Sequence, residues 1–308
     1  MHLKDMMRNL LTIALLLSSL SAVFAQSLPV SEQLINSTVQ ILTTKSILKD
    51  GISKLSGMSG TGFFFEFNTS KGKIPVIITN RHVVEGMVNQ QFTFKLRKSD
   101  GSPDYDHGQE LSVTSKDVNW LLHPDKSVDL AILPIAGIMD NLEKLKKGIF
   151  IVSLTEELIP SDSVAKSLLP IEDVLMVGYP FGLRDIGNNL PIVRRGITAT
   201  SFYLDYNKKK EFLCDIPVYP GSSGSPIMIL NQQGFVDRKG TVNMGGTRAL
   251  LLGINYATYT ADFEGKITPV QALADPKGIY TSIPYNIAIV IKSERILDFK
   301  PLLLNLIQ

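Results

Sequence analysis

Three side chains whose combination activates a hydroxyl occur in the order His82, Asp129, Ser223. A serine is a poor nucleophile until a base removes its proton, and neutral imidazole suits that task near physiological pH. The imidazole needs an acceptor on its second nitrogen to fix its tautomer and steady the imidazolium, and a buried aspartate provides one. A developing oxyanion then needs backbone N–H groups converging on one point. The stretch Tyr219-Pro220-Gly221-Ser222-Ser223-Gly224-Ser225-Pro226 surrounds the candidate nucleophile with small residues that leave the backbone open. Glycine permits the dihedrals such a loop requires. The N–H groups of Gly221 and Ser223 are therefore the expected oxyanion donors, and Gly224 lets the chain turn away beneath the hydroxyl.

The competing residues have weaker settings. His107 in Asp-His-Gly and His123 in Leu-His-Pro read as loop residues, and Asp106, Asp117 and Asp125 sit among turn formers. Asp129 instead opens the apolar run Leu130-Ala131-Ile132-Leu133. Ser222 and Ser225 are expected to hydrogen-bond the loop rather than attack a substrate. The sole cysteine, Cys214, lies in Phe-Leu-Cys-Asp-Ile and reads as a buried, inert thiol, so no internal disulfide forms. No pair among the four histidines has metal-ligand spacing, and neither a metal nor another cofactor is expected. The α/β-hydrolase order needs a histidine after the serine, and none follows position 123. The subtilisin order needs an aspartate shortly before His82, where only Asp50 stands, in a Lys-Asp-Gly turn.

Each candidate lies at the end of an apolar strand pattern. His82 follows 74–79, Asp129 leads into 130–135, and Ser223 precedes 226–230. Many similar runs, rich in Val, Ile, Phe and Thr, alternate with Asp-Gly, Asn-Gln-Gln-Gly and Asp-Pro-Lys-Gly punctuation. A helical turn is expected near 31, and longer helix only over 143–147 and 287–306. This pattern predicts an all-β fold of two packed antiparallel barrels, near 30–140 and 150–290, with a C-terminal helix.

Thirty-one basic residues against 29 acidic ones give a net charge of +2, which points away from nucleic acid as a partner. The run Lys208-Lys209-Lys210 reads as a solvated hairpin tip. At the amino terminus, Lys4 and Arg8 precede an apolar stretch over 10–24 that closes on Val23-Phe24-Ala25. This is the pattern of a secretory signal cut after Ala25, leaving 26–308 as the exported domain, periplasmic or secreted. The stretch falls short of the ~20 residues that span a bilayer, and an uncleaved anchor is the alternative. No stable membrane insertion is expected once the signal is removed.

Taken in order, these segments resemble the trypsin-like (chymotrypsin-fold) serine peptidases, in particular the exported bacterial branch with HtrA-type proteases. Gly60-Thr61-Gly62-Phe63-Phe64-Phe65 is similar to the strand before that family's histidine. Thr79-Asn80-Arg81-His82-Val83-Val84 is similar to its histidine motif, and Asp129-Leu130-Ala131-Ile132-Leu133 to its aspartate motif. The segment 214–226 is similar to its nucleophile loop, and 251–257 to the strand flanking its specificity pocket. The resemblance spans roughly 35–300. It implies two six-stranded β-barrels and a His-Asp-Ser endopeptidase acting on protein or peptide substrates through an acyl-enzyme. The same fold kept as a catalytically silent binding or scaffold protein is the alternative. Ser222 stands where zymogen-activated members carry an aspartate that pairs with a newly cut amino terminus, so no such activation is expected. Pro217 stands about where trypsin keeps its pocket aspartate, which argues against a basic cleavage preference.

Overall fold

The computed structural model describes residues 28–49, 52–70, 72–114, 118–266 and 278–306. The expected secretory signal lies outside these residues. Helix α1 (Val30–Ile35) leads into β1 (Thr38–Lys49), β2 (Ile52–Thr69) and β3 (Gly72–Thr79). After the one-turn helix α2 (Arg81–Val84) come β4 (Asn89–Arg97), β5 (Pro103–Thr114), β6 (Leu121–Leu122) and β7 (Ala131–Pro134). Helix α3 (Ala136–Lys144) is followed by β8 (Ile149–Phe150), β9 (Leu154–Thr155) and α4 (Asp162–Ser167). The second half holds β10 (Asp173–Gly178), β11 (Ile192–Thr198), β12 (Glu211–Asp215) and β13 (Pro226–Asn231). A two-stranded excursion, β14 (Gly234–Val236) and β15 (Val242–Met244), precedes β16 (Arg248–Lys266) and β17 (Gly278–Lys292).

The molecule is mostly β, and its second half closes into a six-stranded barrel in the order β10-β11-β12-β17-β16-β13. The first half differs from the six strands expected of it. Its nine-stranded sheet follows the path β5-β4-β1-β2-β3-β7-β6, with β8 on β4 and β9 on β2. Seven strands lie on this path, one more than expected, and the two off it come from 149–155, where Ile149 and Leu154 bury themselves in separate cores.

Alternation along the strands sorts residues among three cores. Phe63, Phe65 and Phe67 of β2 enter a core shared by both halves, whereas Phe64 between them packs with Phe92 and Phe94 on the opposite face. In β16, Leu250 and Leu252 fill the barrel and Leu251 joins the shared core. The halves are therefore joined by packed hydrophobic surface, and the site lies where they meet.

The helix expected over 287–306 is a strand as far as Lys292. Ile287-Ala288-Ile289-Val290-Ile291 is β-branched and alternating, with Ala288 and Val290 in the barrel core and the segment paired to β12. A 3-10 segment (Ser293–Phe299) and helix α5 (Lys300–Leu306) follow, burying Ile296, Phe299 and Leu303. The helix expected at 143–147 begins earlier, at Ala136, and ends at Lys144. Lys146, with φ of 56°, turns the chain away.

Candidate active site

His82 is the second residue of α2, directly after β3 delivers the chain into the groove between the halves. Asp129 grips it twice. Its Oδ2 meets the ring Nδ1 at 2.5 Å, and its Oδ1 accepts the His82 backbone N–H at 2.9 Å. Asp129 is itself fixed through its carbonyl, which accepts from Asn80 Nδ2 at 2.8 Å. A carboxylate against Nδ1 keeps the proton there and leaves Nε2 as the basic nitrogen. The neighbouring Arg81 turns away to a bidentate pair with Glu85, both bonds at 2.8 Å.

The loop carrying Ser223 is built from β13 backwards and is held on both sides. From the first half, Thr61 N–H donates to the Ser223 carbonyl at 2.8 Å. From the barrel, the Gly224 N–H donates to the Asn255 carbonyl at 2.9 Å and the Asn255 N–H to the Ser225 carbonyl at 3.0 Å. Gly221 and Gly224 adopt φ of 92° and 86°, and a Cβ on either would collide with the Tyr179 or Thr61 carbonyl. Only glycine fits both positions. Gly221 is buried, yet among the described residues neither its N–H nor that of Ser223 finds an acceptor. Buried amides are rarely left so.

His82, Gly221 and Ser223 line one groove of about 1100 Å³, together with Gln40, Phe181 and Arg184. The Ser223 hydroxyl makes no hydrogen bond to the His82 ring in this structure. On the far side of Phe181 is a second cavity of about 470 Å³, into which Ser223 also opens. Val218, Ala257, Thr258 and Thr260 contribute to its walls, and none of its lining residues among the described ones is charged. Asp215 sits exposed at the end of β12, outside that lining. Phe181 lines both spaces. It holds a φ of 52° that is strained for an aromatic residue, and its ring stacks on Tyr219 at 5.1 Å.

Two other histidines also face aspartates, which makes proximity to Ser223 the discriminating feature. His107 meets Asp104 at 3.1 Å on the surface. His123 lies in a loop, as expected, but its ring is buried against Phe299. Its Nδ1 accepts the Asp125 N–H, so Nε2 carries the proton and donates to Asp298 Oδ2 at 3.1 Å. That histidine ties the 3-10 segment to the first half. Burial pushes the Cys214 thiol well above its ordinary range, in keeping with an inert side chain inside the barrel. Among the described residues no cluster of three or more His, Cys, Asp or Glu could hold a metal. No helix among them is long and apolar enough to cross a membrane.

Sequence reasoning passed over Thr61 and Arg194. Thr61 lies between Gly60 and Gly62 in the quoted strand motif, and its hydroxyl accepts the Tyr179 N–H at 3.0 Å. Arg194 donates from β11 to the Ser222 hydroxyl at 2.8 Å. Nothing in the sequence marked it, because the apolar Val193 and Ile197 point outwards while Arg194 points in.

A family model described as the trypsin-like peptidase domain matches residues 60–236, a span that contains His82, Asp129 and Ser223. Among solved structures, the chain is similar to the Rv3671c protease in its inactive form. Identity is 17%, covering 87% of this chain and 89% of that one, with a TM-score of 0.39. It is also similar to AL20, a thermostable serine protease from an extremophilic microorganism. Here identity is 11%, covering 88% of this chain and 98% of that one, with a TM-score of 0.42. No curated protein matches it. With the family match extending over more than half of its length, the chain belongs to the trypsin-like peptidase domain family.

Proposed function

We propose that this protein is an exported serine endopeptidase working through His82, Asp129 and Ser223. In this reading His82 Nε2 takes the Ser223 proton as the hydroxyl attacks a peptide carbonyl. Asp129 holds the ring and steadies the imidazolium, and the amides of Gly221 and Ser223 receive the oxyanion. Collapse of the tetrahedral adduct expels the amine, which takes its proton from His82, and leaves an acyl-enzyme for water to hydrolyse. The first half then corresponds to the second barrel that the family pattern implies. One observation carries the reading: an aspartate-held imidazole and a serine share a groove in which two amides at the same serine lack partners.

Labelling with a fluorophosphonate probe tests it. Wild type is expected to take up the probe, and Ser223→Ala and His82→Ala to lose it. A folded wild type that remains unlabelled would instead mark the chain as a silent protease-like scaffold.

A further inference from the structure

A guanidinium lies beneath the loop that carries the two candidate oxyanion amides. Arg194 Nη1 donates both to the Pro217 carbonyl and to Ser222 Oγ, each at 2.8 Å. Ser222 is fully buried and tied by its neighbours as well. Its N–H reaches the Tyr219 carbonyl at 2.9 Å, its Oγ accepts the Tyr219 N–H at 3.2 Å, and its carbonyl accepts from Asn255 Nδ2 at 3.0 Å. The residue stands between Gly221 and Ser223, so its orientation sets where both of their amides point.

The remaining nitrogens of the same guanidinium, Nε and Nη2, are buried without hydrogen-bond partners. Among the described residues no carboxylate pairs with it. Burial pulls Arg194 down to about 10, and the Tyr219 phenol pulls the other way, so the side chain carries its charge at neutral pH. Burying an unpaired cation is costly, and a mere tether between two oxygens needs no charge. Here no described residue offsets the charge, and it reaches the loop of the two amides through the Ser222 hydroxyl that it bonds.

We propose that Arg194 is the positioning residue of the oxyanion site: acting through Ser222, it holds the Gly221 and Ser223 amides towards the groove, and its charge favours the tetrahedral adduct. This rests on the serine-peptidase reading above. A strand residue thereby occupies the role that zymogen-activated members give to a freed amino terminus. The neutral Ser222 suits a hydrogen-bonded partner rather than an ion-paired one.

Arg194→Met and Arg194→Lys, assayed beside wild type and Ser223→Ala, test the proposal. With a peptide ester, Arg194→Met is expected to lose about 10- to 100-fold in kcat while KM stays within about twofold. Its affinity for a peptide boronate, which forms a tetrahedral adduct on serine, should fall by the same factor. Arg194→Lys keeps a donor and a charge and is expected within about threefold of wild type at pH 7. A buried ammonium gives up its proton more readily than a guanidinium. The kcat of Arg194→Lys should therefore fall between pH 7 and 9.5 relative to wild type, a readout that also serves if the methionine variant does not fold. Unchanged kcat in folded Arg194→Met, a loss confined to KM, or parallel pH profiles for Arg194→Lys and wild type would overturn the proposal. Fluorophosphonate uptake by wild type and not by Ser223→Ala secures the serine reading independently. Failure of wild type to label removes both.

Discussion

The Thr61 hydroxyl donates to the Gly221 carbonyl at 2.9 Å, joining residues 160 positions apart in the chain. The same oxygen accepts the Tyr179 N–H, so one buried side chain pins the nucleophile loop and the start of the Phe181 turn together. Because Thr61 comes from the first half and both partners from the second, this contact crosses the join between them. Replacing it with valine leaves a buried carbonyl and a buried N–H unpaired, at a cost of about 1–3 kcal/mol each. Thr61→Val is expected to lower kcat more than it raises KM and to reduce unfolding stability. Steady-state kinetics with urea titration checks both, and equal kcat values would show the loop to be independent of this tether.

Asp129→Asn tests the grip on His82. An amide keeps an acceptor for the backbone N–H but can place its NH₂ against Nδ1, favouring the tautomer in which Nε2 carries the proton and is no base. A loss of about 10³- to 10⁴-fold in kcat is expected, with KM little changed. Retention of kcat within tenfold of wild type would count against Asp129 as the orienting group.

The cavity beside Ser223, whose described lining carries no charge, favours uncharged, apolar side chains at the cleaved residue. Profiling over a peptide library should therefore show little cleavage after Lys, Arg, Asp or Glu. Ala257→Leu should shift preference towards the smallest residues, with kcat/KM for larger ones down about tenfold or more. Strong cleavage after basic residues would be incompatible with this assignment.

Lys95 offers a pH test of how the turn at Asn188 and Asn189 is held to β4. It is 7% exposed and donates to the Asn188 and Asn189 carbonyls at 2.8 and 3.0 Å, with its ammonium 4.5 Å from the Tyr105 ring centroid. Burial draws its pKa down to about 8, opposed by Asp185 and Asp104. In the unfolded chain a lysine keeps its proton to about 10.4. Between these values the unfolded state binds more protons, so this group's contribution to stability rises with pH and is lost as pH falls through about 8. Relative to Lys95→Met, wild type should gain about 2 kcal/mol between pH 7 and 9.5. Urea unfolding at both pH values checks this, and a constant difference would refute it.

Much of the site was legible because its chemistry is carried by residue types in a fixed order. His82, Asp129 and Ser223 were picked out from strand ends, glycines and their order along the chain, and the structure brings the first two into contact and the third into the groove that His82 lines. The barrel strands were legible from short apolar runs between turn residues, such as 226–230. Less legible were features set by partners distant in sequence. Strands of two residues, like β8 and β9, carry no periodicity and exist only because β4 and β2 await them. The β-branched run 287–291 was masked by the charged, helix-like stretch that follows it, and its pairing with β12 fixes it as strand. Arg194 was hidden for the same reason: one of two adjacent cations in a strand reads as surface until its partners are known.

Cys214 is sealed inside the barrel, and the chain has no other thiol. A thiol-reactive dye added in excess therefore has a single target, reached only when the staves part. Its uptake would time the breathing of that half of the molecule without any engineered label, and binding of a boronate at Ser223 would reveal by its slowing how firmly the site and the barrel wall move as one.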